Sequence, residues 1–112
     1  MFNFFKTKPR KISQHELNQQ LIDYLIKNGD NLEKEHLVEL AFAGNMKKMG
    51  SLKNWLLNSG HTEVTGQTDK MLVVSKPMKL EIGGIDKITD EMEKMAKEFN
   101  AEFDGWSTYP VK

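Results

Sequence analysis

The chain has no cysteine, only three prolines in 112 residues and no net charge, with 16 basic and 16 acidic side chains. Each shortage excludes something. Without cysteine there is no disulfide, thiol nucleophile, thiolate zinc site or iron–sulfur ligation. No apolar run approaches the roughly 20 residues that a membrane helix needs, so no membrane span is expected. Missing too are the phosphate-cradling patterns G-x-x-x-x-G-K-[ST] and G-x-G-x-x-G, and the G-x-S-x-G elbow that exposes a serine nucleophile. The three histidines, His15, His36 and His61, lack the H-x-x-x-H spacing that brings two ligands to one helix face. No nucleophile, base or cofactor cradle is visible, and the expectation is a protein that is not an enzyme and holds no cofactor or metal.

The charge is balanced in sum and uneven in place. Lys6, Lys8, Arg10 and Lys11 fall in the first twelve residues, where there is no acid, leaving 12 basic against 16 acidic groups in residues 13–112, net −4. A mildly acidic body is poorly suited to gripping phosphates over a broad surface, so direct nucleic-acid binding is not expected. Phe2, Phe4 and Phe5 beside four cations could form a membrane-surface or partner-binding arm. The plainer reading is a loose leader, because termini are usually unordered unless docked. Its alternation of phenylalanine with lysine is not the charged-then-apolar order of a signal peptide, and a soluble, cytoplasmic protein is expected. At this length one core must serve the whole chain. The expectation is a basic flexible leader over 1–12 and a single domain over 13–112.

Ser13-Gln14-His15-Glu16 fits a capping box, and Leu17, Leu21, Tyr24 and Leu25 follow as one apolar stripe, closed by Asn28-Gly29. His36 to Phe42 alternates, with Val38, Leu40 and Phe42 on one face, as a strand does. Met49, Leu52 and Leu56, with Trp55 close by, form a second helical stripe, whose start Gly50 could delay to Ser51. His61 to Gln67 is mostly polar and suggests a sheet edge. Met71-Leu72-Val73-Val74 is apolar at consecutive positions and suggests a central strand, with Pro77 at its end or at a bulge. After Gly83-Gly84, the residues Ile85, Ile88, Met92, Met95, Ala96 and Phe99 recur at steps of three and four and predict a helix from about Asp86 to Phe99, closed by Asn100. Met92 and Met95 on that stripe read as core filler before they read as a soft binding groove. Without the first helix, the order is strand, helix, strand, strand, helix, strand. That is the α+β, ferredoxin-like split βαβ arrangement (βαββαβ) with an antiparallel sheet and an additional N-terminal helix. The second and third helices would cover one face, leaving the other for the N-terminal helix, a partner subunit in a homo-oligomer, or a ligand.

The last strand, Glu102-Phe103-Asp104-Gly105-Trp106-Ser107-Thr108-Tyr109, ends at Pro110 and reads as a sheet edge. Glu102 and Asp104 could act as an acid–base pair, although charges that block sheet-to-sheet pairing are commoner on an edge. Strict alternation would put Trp106 on the polar face; a bulge at Gly105 would instead bring Phe103 and Trp106 to one side. Trp106 is then either a cap on the core or an aromatic anchor for another protein.

These eight residues resemble the ending of the regulator of ribonuclease E activity B family (RraB), an acidic-aromatic-Asp-Gly-Trp-small-Thr-Tyr run. Met92 to Asn100 is similar to that family's last helix. Leu21-Ile22-Asp23-Tyr24-Leu25-Ile26-Lys27-Asn28-Gly29-Asp30 is similar to its opening helix and the exit that follows, and the likeness extends in register from about His15 to Tyr109. The resemblance implies a ferredoxin-like domain that acts by binding protein and inhibits endoribonuclease E outside that enzyme's catalytic chemistry. It also implies partner-binding roles for Asp104, Gly105, Trp106 and Tyr109. The strongly acidic extensions of such regulators are absent here. The alternative is a ligand-binding or catalytic domain that dimerises over its open sheet face, for which a polar pocket near Glu39, Glu102 and Asp104 would speak.

Overall fold

The computed structural model describes residues 2–5, 13–59, 63–67, 70–109 and 111. In chain order the elements are β1 (Phe2–Phe5), α1 (Gln14–Lys27), β2 (His36–Ala43), α2 (Met46–Asn58), β3 (Glu63–Gln67), β4 (Met71–Met78), α3 (Ile82–Glu98) and β5 (Glu102–Thr108). The strands form one sheet in the order β1-β5-β2-β4-β3, with every neighbouring pair antiparallel. From β2 to β5 this is the ferredoxin-like split βαβ topology expected from the order of elements.

Local chemistry accounts for the helix ends. Ser13 Oγ accepts from the Glu16 N–H at 3.2 Å and starts α1. Gly29, at φ 81°, ends it: the Gly29 N–H donates to the Ile26 carbonyl and the Asp30 N–H to that of Leu25, both at 3.0 Å. Asn100, at φ 57°, closes α3 in the same way, with the Ala101 N–H donating to the Ala96 carbonyl at 2.8 Å. Gly50 lies within α2, and Gly83 and Gly84 lie within the first turn of α3; that helix begins at Ile82, four residues before the expected Asp86.

The core lies between the sheet and all three helices. Val38, Leu40 and Phe42 of β2, Leu72 and Val74 of β4, and Phe103 and Trp106 of β5 form its floor, and Leu21, Ile22, Leu25, Leu52, Leu56, Ile85, Ile88, Met92 and Ala96 its roof. Met71 and Val73, on the other face of β4, are half-buried, which agrees with the consecutive apolar run read there.

Three expectations change. Phe2–Phe5, read as the start of a flexible leader, is an edge strand paired to β5 from Phe2↔Thr108 to Phe5↔Gly105; residues 6–12 of that leader lie outside the described residues. β5 is consequently not an edge: it runs between β1 and β2, and Pro110, the reason for the edge reading, lies beyond the strand and outside the described residues. Finally, the N-terminal helix does not take the open face. The α1 side chains Leu21, Ile22 and Leu25 join the same core as α2 and α3, because the apolar stripe of α1 completes a roof that two helices leave short over β5.

Candidate functional site

β5 carries three of the four candidate residues, Asp104, Gly105 and Trp106, and Tyr109 follows its last residue; the strand backbone decides where each one goes. Pairing with β2 is regular from Val38↔Thr108 to Ala41↔Gly105 and then shifts, so that Phe42 lies opposite Phe103. The extra residue is accommodated at Asp104-Gly105, where Gly105 takes φ 112°, a conformation open to glycine and strained for other residues. This bulge turns Phe103 and Trp106 to the same side. The Phe103 ring lies 5.4 Å from that of Phe42, and Trp106 is wholly buried.

Trp106 is held by a polar cluster as well as by packing. Its indole N–H donates to Asn18 Oδ1 at 2.7 Å. That oxygen also accepts from Gln14 Nε2 at 2.9 Å, while Asn18 Nδ2 donates to Asp86 Oδ1 and Thr89 Oγ1, each at 2.9 Å. The Thr89 hydroxyl donates in turn to the Ile85 carbonyl at 2.9 Å. Asn18 is fully buried and uses both donors and both acceptor sites, so α1, α3 and β5 are joined by an amide whose desolvation is fully compensated. At the rim of the cluster, His15 Nε2 lies 2.8 Å from Asp90 Oδ1 and its Nδ1 lies 3.8 Å from Asp86 Oδ2. The hydrogen bond to Asp90 raises the His15 pKa above its ordinary value; desolvation opposes this, and the charges of Asp86, Asp90 and Glu93 add to the rise.

A second polar cluster pins the exit of α1. His36 Nδ1–H donates to the Lys34 carbonyl at 2.8 Å, and His36 Nε2 meets Asp30 Oδ1 at 2.7 Å, with both side chains essentially dry. Asp30 Oδ1 also accepts from the Val111 N–H at 3.2 Å, and the Asn31 N–H donates to the Val111 carbonyl at 2.6 Å. The segment after β5 is thereby tied to the α1–β2 connection.

The outer face of the sheet differs. In register across it lie Ser107, Glu39 and Ser75, then Gly105, Ala41 and Val73. Leu37 pairs with Pro77, and both are exposed. Tyr109, one residue past the Val38↔Thr108 pair, continues that row and is 54% exposed. The Thr108 hydroxyl donates to the Leu37 carbonyl at 2.9 Å and fixes this end of the strand. Leu37, Pro77 and Tyr109 are thus exposed apolar residues at one end of the sheet, while Ala41, Ser75 and Ser107 on the same outer face are buried.

Of the four candidates, only Tyr109 is presented to solvent. Trp106 and Gly105 are buried and Asp104 is half-buried, so the expectation of Trp106 as an exposed anchor gives way to the core-capping alternative. Sequence reasoning gave no contact role to Asn18, Thr89, Asp30 or Leu37, and weighed His36 only as a metal ligand and strand residue. The signal for the first two was positional: Asn18 stands on the stripe shared with Leu21 and Leu25, and Thr89 on that shared with Ile85, Met92 and Ala96. A cleft of about 330 Å³ is lined by Glu93, Lys97, Ala101, Glu102 and Phe103. Neither Glu39 nor Asp104 is part of its lining, so the polar pocket joining Glu39, Glu102 and Asp104 is not formed there. Among the described residues, no group of three or more histidine, aspartate or glutamate side chains is placed to hold a metal ion, and no helix is long and apolar enough to cross a membrane.

Topology and site together define a ferredoxin-like domain whose sheet carries exposed apolar residues at one end, beside a glycine-bulged strand. The family model for RraB, regulator of ribonuclease activity B, matches residues 15–108, and the chain belongs to that family. No curated protein matches the chain.

Proposed function

We propose that this protein is a non-catalytic regulator that binds an endoribonuclease E-type RNA-processing enzyme and inhibits it, in the cytoplasm where that enzyme works on RNA. The observation that carries the reading is the family match over residues 15–108. Two physical features support it. The apolar row of Tyr109, Leu37 and Pro77 has the character of a protein contact, in which tyrosine is over-represented. The net −4 of residues 13–112 favours a basic protein surface over bare RNA. In this reading Tyr109 makes the contact, while Asp104, Gly105 and Trp106 shape the strand that presents it.

The test is a titration of the purified chain into an endoribonuclease E-type enzyme, with cleavage of a fluorescent single-stranded RNA as readout and with calorimetry to measure binding. Inhibition that persists when RNA is raised to large excess is expected, because the target is the enzyme. Absence of binding at about 100 μM, or inhibition that disappears with excess RNA, would refute the proposal.

A further inference from the structure

We propose that the β5 edge from Gly105 to Thr108 is a strand-acceptor site, which β1 fills in place of an extended segment of the partner protein. The proposal rests on the reading of the protein as a protein-binding regulator and names how the partner enters. β1 is four residues long, stands at the end of the sheet and is hydrogen-bonded on one side only, to β5. It also lies outside the family-matched segment, which starts at residue 15 and ends at residue 108 with the last residue of β5.

A short edge strand with one neighbour belongs to the least stable part of a fold. Residues 6–12, between β1 and α1 in the sequence, contain Lys6, Lys8, Arg10 and Lys11 without an acid, and like charges so close together repel. Leu21, Ile22 and Leu25 keep α1 in the core, while β1, which touches α1 as well as β5, gives up those contacts when it leaves. Its departure would bare the outward N–H and C=O groups of β5, a template for strand addition. The opposite edge of the sheet is less suited: β3 has a register irregularity between Val64 and Gly66, and such bulges oppose further pairing.

The present occupant specifies the chemistry of the incoming one. Phe2-Asn3-Phe4-Phe5-Lys6 is short, aromatic and flanked by positive charge, and it runs antiparallel to β5 on a body of net −4. A partner segment of that kind would continue past Thr108 towards exposed Tyr109.

The test uses the full chain carrying Asn3→Pro and Phe4→Pro together. Alternate residues of an antiparallel strand direct their N–H to the neighbour, so one of two adjacent prolines removes a ladder bond. The probe is a fluorescent peptide with the sequence of residues 1–8, followed by anisotropy. The peptide should bind the double variant at least about 10-fold more tightly than the wild type, whose own strand competes at high effective concentration. Hydrogen exchange at Gly105–Thr108 should accelerate in the variant and slow again with peptide. If the double variant loses the near-UV signature of Trp106, Asn3→Pro and Phe4→Pro are made singly, and the one whose Gly105–Thr108 amides exchange faster carries the same comparison. Equal binding to both chains would place the peptide on another edge and overturn the proposal, as would no binding to a variant whose Gly105–Thr108 amides exchange fast. A wild-type dimer that disappears in the variant would make a second copy the occupant and overturn it too. Equal ribonuclease affinity for both chains would sink this inference and leave the proposed function standing; peptide capture without ribonuclease binding would do the reverse.

Discussion

Trp106 and Tyr109 stand three residues apart in one motif and meet opposite fates. Trp106 is 0% exposed beneath the helices, its N–H given to Asn18, whereas Tyr109 is 54% exposed at the end of the outer face. The residues differ less than their surroundings do. Trp106 shares its core with apolar side chains of all three described helices, whereas Tyr109 stands past the end of β5; the face alone does not decide, since Ser107 and Ala41 on the outer one are also buried. An aromatic in a family-defining motif is therefore not a contact residue by virtue of being aromatic. In this chain Asp104-Gly105-Trp106 builds the strand, and Tyr109 is what the strand presents.

Breaking the inner half should have the largest effect. Trp106→Ala removes the largest fully buried side chain and leaves Asn18 Oδ1 with one partner fewer, so a loss of about 3–5 kcal/mol in unfolding free energy is expected. A urea midpoint equal to that of the wild type would show that the indole is not part of the core. Gly105→Ala should come next. A side chain at φ 112° carries strain of about 1–3 kcal/mol, and relief by closing the bulge would send Phe103 to the wrong face. An unchanged midpoint in Gly105→Ala would mean that the bulge forms without help from glycine.

The inner face was legible in the sequence where its signal was periodic. At Gly105 strict alternation and a bulge were both open, whereas the α3 stripe, the alternation of β2 and the apolar run of β4 could each be read from neighbours within a few positions. β1 could not, because four residues carry too little periodicity to announce a strand and its pairing depends on an edge about 100 residues away. The placement of α1 was hidden for a related reason. Gln14 and Asn18 look like solvated residues on an apolar stripe until their partners appear, and Asn18 finds Trp106 only 88 positions later. The site was half legible: the motif was visible, but which of its residues face water follows from tertiary packing.

Tyr109→Ala probes the outer half. With half its surface already in water, its loss should change stability by less than about 0.5 kcal/mol while weakening ribonuclease binding by more than about 1 kcal/mol. Equal binding by the mutant would remove Tyr109 from the contact, and a large stability loss would show that the outer row is structural like the inner one. Either result would erase the contrast between the two residues.

The smallest expected effect belongs to His15, at the exposed rim of the cluster that secures Trp106. Its pKa is raised in the folded state, first by the hydrogen bond to Asp90 and then by the charges of Asp86, Asp90 and Glu93. Folding therefore favours the protonated ring. The contribution is fully present below the unfolded value of about 6.5 and is lost as pH rises through the higher folded value. Urea midpoints of wild type and His15→Gln, measured from about pH 5.5 to pH 8.5, should differ by a constant amount on the acid side and converge on the alkaline side. Added salt should shrink the difference, since both partners are in water. A gap that widened with pH would mean that the neutral ring, and not the imidazolium, is the form the α1–α3 seam prefers.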